Sequence, residues 1–472
     1  MDEKWTSLKL VFLLAFITII QGQNENNYDN STGLCNKCKC ISGSDFILDC
    51  SYQGFHHMID DWPEHKTDLI ATFSYNNITN LAILPYSDLV RKVVLSHCGI
   101  RTLANGAFKD IRMTTYLDLS YNFLTAEEIG PENFKGLYNK TVYEPLMLEH
   151  LDLSYNQIHS LPHNFFEHLL SLRELNLEGN RLRVLDPPTQ LAMASLKSLQ
   201  VLNLANNDLT ELVGDAVRNL KNLRILNLAV NKLDFVPQTL TLLGDHLEAL
   251  YLDQNPIFEI TDETFLGVKG IITLSLTNMP RLQYVKANSF TPLKNLTILF
   301  MSDNPSLTDI DRDAFGPGQA LEQLYLHNNS LQDLHYNLTK WSSLRVFTLT
   351  GNDLVCDCDL YKISLDLSKD IKENRDGPYC INPSNDQSES IYELGQLACE
   401  YGPYTHPSHR MERHFRILKL VLVVTAGVFT ITSLVAVGVL YLRYRRYNMN
   451  RNYPFVTQVM YNPLRNPSSN FM

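Results

Sequence analysis

The feature that most limits what this chain can fold into is a short pattern that returns along most of its length. Residues 172–185, LRELNLEGNRLRVL, are its fullest copy. Leu172, Leu175 and Leu177 are spaced by three and two, Asn180 follows, and Leu182 and Leu185 close the unit. The spacing of two around Leu175 and Leu177 is strand alternation, so both side chains point to one face of a short strand. A single such strand cannot bury that face. Copies stacked side by side can, because each apolar face closes against the next in a continuous core. The asparagine stands where the chain leaves the strand, and its amide can donate to and accept from the backbone of a neighbouring turn.

With that asparagine as marker, twelve units follow one another, at Asn76, Cys98, Asn122, Asn156, Asn180, Asn207, Asn231, Asn255, Met279, Asn304, Asn329 and Asn352. Most lie 22 to 25 residues apart; the gap of 34 from Asn122 to Asn156 predicts a loop around residues 138–147. Phe108, Phe166, Phe265, Phe290 and Phe315, with Val217, recur about ten positions past the marker and are expected to stack inside the back of the array. Cys98, the odd member of nine cysteines, reads as a small buried side chain in a ladder position.

The ends of the chain indicate a compartment. Residues 8–20 are apolar apart from Lys9 and Thr18, and Gly22 offers a small residue for cleavage, so residues 1–22 read as a secretory signal. A retained anchor is the alternative, but the apolar stretch is short for a membrane span. Six sequons, at Asn30, Asn77, Asn139, Asn295, Asn328 and Asn337, fit an exterior chain; Asn382 is excluded because Pro383 follows it. Cys35, Cys38, Cys40 and Cys50 open the array, and Cys356, Cys358, Cys380 and Cys399 close it. Such sets can hold zinc, but behind a secretory signal disulfides are expected, and each set of four allows three pairings. Residues 420–442 are 23 residues without a charge, followed by Arg443, Arg445 and Arg446. As a helix they extend about 34 Å, enough for a hydrocarbon core of about 30 Å. Signal and sequons together predict a single-pass type I protein of the plasma membrane, with the repeats outside. In the tail, Tyr461 and Leu464 fit a tyrosine-based sorting pattern, and a plain disordered tail is the competing reading.

The repeat, with cysteine sets at its two ends, resembles extracellular leucine-rich repeat proteins that carry N- and C-terminal cysteine caps. Residues 352–360, NDLVCDCDL, resemble the start of that family's C-terminal cap, although Asp353 and Leu354 stand where the family usually has proline and an aromatic. The resemblance covers roughly residues 35–399. It implies the pairs Cys35–Cys40, Cys38–Cys50, Cys356–Cys380 and Cys358–Cys399. The expected fold is an α/β solenoid: a curved leucine-rich repeat horseshoe with a parallel β-sheet on its concave face and disulfide caps at both ends, plus one transmembrane helix. Its expected organisation is a signal (1–22), a polar leader and N-terminal cap (23–66), about twelve repeats (67–355), a C-terminal cap (356–399), a stalk (400–419), a span (420–442) and a short cytoplasmic tail (443–472).

No catalytic constellation stands out: there is no phosphate-cradling glycine loop, no G-x-S-x-G and no H-E-x-x-H. Asp118 and Asp152 lie on neighbouring units, yet each belongs to LDLSYN, at an outward strand position. The expectation is therefore a non-enzyme without a cofactor. A net charge of −11, with the acidity outside the basic tail, argues against a nucleic-acid partner. Function is expected in surface recognition. The outward central strand positions turn from acidic and amide residues to Tyr251, Phe300 and Tyr325, the residue types that anchor interfaces. These three are expected to bind a protein ligand, with Asp253 and Asp303 at the rim; the competing reading is that they brace one another or lie beneath a glycan on Asn328. The resemblance implies cell-surface adhesion or receptor proteins, whose partner is an extracellular protein or the same protein on another cell, with signalling passed to a co-receptor in the membrane. An innate-immune co-receptor or decoy, and a shed matrix-organising protein, are the alternatives.

Overall fold

The computed structural model describes residues 33–400, apart from 318, 320 and 374–376, and residues 437–443. The chain divides into two units, Met1–Tyr401 and Gly402–Met472. In the second, residues 437–443 are helical. Among the described residues no helix is long and apolar enough to cross a membrane. The expected span at 420–442 lies outside them except for 437–442, and so do the signal at 1–22, Asn30, Tyr461 and Leu464.

The first unit is organised by a 14-stranded sheet. Two of its strands belong to the N-terminal cap, where Lys39–Ile41 pairs antiparallel with Phe46–Asp49. After Phe46–Asp49 every strand of this sheet runs parallel to the one before. One strand precedes each of the twelve marker positions, from Leu69–Thr72 to Val346–Thr348. Register follows the central leucines: Leu175, Leu202, Leu226, Leu250, Leu274, Leu299 and Leu324 stand opposite one another, all buried. A slip by one residue would turn the whole row out of the core.

The ladder forms as the asparagine chemistry requires. Asn207 donates from Nδ2 to the carbonyls of Leu177 and Leu204 at 3.0 and 3.1 Å, and its Oδ1 accepts the Leu182 N–H at 3.1 Å. Cys98 divides that task. Its Sγ donates to the Phe73 carbonyl at 3.1 Å, while its own carbonyl accepts the Ile78 N–H at 2.8 Å. The thiol is free and buried, and burial pushes its pKa up to about 11, so it is a structural donor rather than a reactive thiolate.

At the back, the phenylalanine column forms in two runs. Phe265, Phe290 and Phe315 stack with centroids 6.0 and 4.8 Å apart. Phe108 meets Phe134 at 5.7 Å, and Phe134 meets Phe165 at 5.5 Å. Phe134 and Phe165 are members that the repeat spacing alone does not pick out. Between the runs, Met193 and Val217 fill the interior from the short helices Pro187–Ala194 and Gly214–Val217. The extra residues before Met147 close into a small hairpin, with Tyr138 bridged antiparallel to Tyr143. Gly136 makes this possible, since a Cβ there would fall 2.2 Å from the Glu144 carbonyl oxygen.

Both ends are stapled. Cys35–Cys40 and Cys38–Cys50 hold the N-terminal cap, and Cys356–Cys380 and Cys358–Cys399 the C-terminal one. These are the four pairings that the family resemblance implies, and with them the capped solenoid with its parallel sheet is established.

Candidate functional site

The residues on either side of each buried central leucine face away from the core. This open face is three columns wide, at strand positions such as Glu174 and Asn176 and the following Glu178, with neighbouring strands about 4.8 Å apart.

Its N-terminal part is a closed polar network. Lys92 Nζ sits 3.9 Å from the Tyr116 ring centroid, Tyr116 lies against His150, and His150 Nδ1 is 2.8 Å from Glu174 Oε2. The hydrogen bond to Glu174 raises the His150 pKa. Burial pushes the Tyr116 phenol up and the Lys92 ammonium down. One column over, Asn176 donates to Asp152 at 3.0 Å, and Glu178 accepts from Tyr155 OH at 2.7 Å and from Asn203 at 3.0 Å. Burial, with the Asp118 charge second, raises the Asp152 pKa. Asp118 and Asp152 each accept the N–H two residues on, from Ser120 and Ser154, at 2.8 Å. These acids order the face.

In the middle, Val201, Ile225 and Ala249 line the first column, and Ala205 and Ala229 the third. Asn203 and Asn227 each accept a backbone N–H, from Ala205 and Ala229, at 3.0 Å.

The five residues singled out as a ligand site fall into two groups. Phe300 and Tyr325 are adjacent across the sheet and stack at 4.6 Å and 15°, both half-buried, with Tyr325 OH donating to Gln323 Oε1 at 3.1 Å. Asp303 lies beyond them, accepting from Asn328 Nδ2 at 2.7 Å and from Ser302 Oγ at 3.1 Å. Tyr251 stands two strands earlier, with Ser275 between it and Phe300, about 10 Å away at the usual strand spacing. Asp253 is tied into that intervening repeat, accepting from Ser275 Oγ at 2.5 Å and from the Thr277 N–H at 2.7 Å, and burial raises its pKa.

A rim column went unread at the level of sequence. The residue immediately before each marker has a left-handed backbone, from Tyr75, His97, Tyr121 and Tyr155 through Asn206, Val230, Gln254 and Asn278 to Asp303 and Asn328. Tyr52, Tyr75, His97, Tyr121 and Tyr155 form one continuous ring stack, with centroids 4.2 to 4.4 Å apart. It ends at Gly179, where a Cβ would fall 2.6 Å from the Tyr155 ring. The recurring Ser-Tyr-Asn at 74–76, 120–122 and 154–156 was the signal for it.

The sequon asparagines Asn77, Asn139, Asn295, Asn328 and Asn337 are all exposed. Among the described residues no group of three or more His, Cys, Asp or Glu is placed to hold a metal ion.

Comparison with known proteins follows the same lines. A family profile for "Leucine rich repeat" matches residues 147–200 and 245–305, and a second, shorter one matches 198–220. The chain is 30% identical over 269 residues to Tsukushi of Mus musculus, across 57% of this chain and 70% of that protein. It is 32% identical over 215 residues to podocan-like protein 1 of Mus musculus, across 44% of this chain but only 35% of that one. A solved leucine-rich repeat protein of Leptospira interrogans shares the fold at a TM-score of 0.52 and 24% identity, covering 68% of this chain and 76% of its own.

Proposed function

This chain belongs to the extracellular-type, disulfide-capped leucine-rich repeat family of which Tsukushi is a member, and on that premise we propose that it captures an extracellular protein on the open face of its sheet. The observation that carries this reading is the Phe300–Tyr325 pair, two large rings held parallel at 4.6 Å and left partly open. Aromatic residues are enriched at the cores of protein interfaces, where a few residues carry most of the binding energy. Tyr251, two strands away, is the second anchor, and Asp303 lies at the edge of the first. Asp253 supports the Ser275 repeat between the two anchors rather than meeting the partner directly.

The test is capture of surface proteins by the soluble segment 23–405, repeated with Tyr251, Phe300 and Tyr325 all replaced by Ala. Capture by the wild type and its loss in the variant is the expected result. Unchanged capture by a variant that unfolds like the wild type rejects the anchors.

We further propose that residues 420–442 fix the protein in the plasma membrane as a single-pass type I protein, exported by the signal at 1–22, acting in adhesion or as a receptor beside a co-receptor. Protease added to intact cells should then digest the repeats, while an epitope on the tail survives. We assign the protein no enzymatic role.

A further inference from the structure

We infer that Asn328 is a glycosylation site whose oligosaccharide covers the Phe300–Tyr325 anchor, so that occupancy of this one sequon regulates access to the open face; the inference rests on the ligand-binding reading above. Asn328 is placed differently from the other described sequons. Asn77 comes just after the marker Asn76, Asn139 sits in the hairpin turn, Asn337 in the short helix Tyr336–Leu338, and Asn295 ahead of the strand Ile298–Phe300. Asn328 instead lies in the rim column, three residues after Tyr325, as Asp303 lies three after Phe300. At about 3.3 Å per residue that separation is about 10 Å, less than a branched glycan reaches.

The carboxamide is also oriented. Its Oδ1 packs against Gly351, where a Cβ would fall only 2.4 Å away, and its Nδ2 points back along the column to Asp303 Oδ1 at 2.7 Å. The attachment atom is therefore turned toward the Phe300 strand. Transfer from a lipid-diphosphate-linked oligosaccharide replaces one Nδ2 hydrogen by the bond to the anomeric carbon; the proton leaves to a base and the lipid diphosphate departs. One N–H remains on Nδ2 after transfer. Folding closes this sequon. Asn329 is buried in the ladder, and the Ser330 hydroxyl donates to the Pro305 carbonyl at 2.8 Å. Transfer thus competes with closure of the repeat, and the mature protein is a mixture of shielded and open molecules.

The test uses the full chain made in secreting animal cells, with tetranitromethane as the probe of tyrosine access and peptide mass spectrometry as the readout. Molecules carrying the glycan on Asn328 should show Tyr325 nitration several-fold below that of Ser330→Ala or Asn328→Gln protein, relative to the exposed Tyr52. Trimming the glycan of folded wild-type protein to its first sugar with an endoglycosidase, which leaves Asn328 an amide, should restore it, and Asn295→Gln should leave it unchanged. An unmodified Asn328 in the secreted chain, or equal nitration with and without the glycan, overturns the inference. Because the labelling needs no ligand, that result is separate from failure of the alanine variant to lose capture.

Discussion

Val230 shows what a single position can cost. Among the described residues it is the β-branched one with a left-handed backbone, at φ 56°, in a column otherwise filled by Asn, Gly, Gln, Asp and aromatic residues. That conformation crowds a Cβ against the following carbonyl, worst for a branched side chain, whereas Asn tolerates it. Asn206, Asn278 and Asn328 hold the equivalent place. Val230→Asn is therefore expected to stabilise the protein by about 1 kcal/mol, seen as a higher denaturant midpoint at unchanged slope. His150 gives a pH-dependent counterpart. Its bond to Glu174 raises its pKa in the folded protein, so the stability it contributes is complete below the unfolded value of about 6.5 and is lost as pH rises through the folded value. Thermal unfolding of His150→Gln should fall below the wild type at pH about 6 and converge with it in the alkaline range.

At the scale of the repeat, strand and turn are held by different forces. The strand is three residues long in most units, too short to persist by backbone pairing alone, and it survives because its central leucine is buried against both neighbours. The turn survives because one amide serves several backbone groups. Asn207→Ala would leave the Leu182 N–H and the Leu177 and Leu204 carbonyls without that partner, inside the core. A loss of about 3 kcal/mol or more is expected in denaturant unfolding, well beyond the change in apolar area. A midpoint shifted by only a few tenths of that would mean the ladder is dispensable. The cysteine at position 98 shows how far the chemistry can be altered: a thiol keeps the donor half, and a backbone carbonyl takes over the acceptor half.

Across the repeat unit as a whole, each strand touches only its neighbours, so cohesion depends on closing the two ends. At the C-terminal end the helix Cys358–Asp366 covers the last repeat, with Asp357 capping it through the Leu360 N–H and two disulfides fixing it. The bond between Cys356 and Cys380 closes a loop of sequence separation 24. Replacing both cysteines by Ser should cost about 3 kcal/mol in the chain-entropy account. Hydrogen exchange should show the loss first in the strands Val346–Thr348 and Gln323–Tyr325, since an uncapped solenoid frays from its end.

Period, parallel register and ladder are legible in the order of residues, because they are local: Leu175, Leu177 and Asn180 carry the strand and its turn within six residues. That order also marks Phe300 and Tyr325 as surface aromatics, since strand alternation alone turns them outward. Which of these residues meet emerges with the stacked repeats. Tyr251 is parted from Phe300 by a strand bearing Ser275, and Asp253 turns into that neighbouring repeat instead of lying free at the edge. The stack from Tyr52 to Tyr155, and the facing of Asn328 toward Asp303, likewise join residues more than twenty positions apart. The physical reason is that a repeat fixes where each side chain leaves the backbone, whereas its partner is set by the length and bulk of whatever the next copy places beside it.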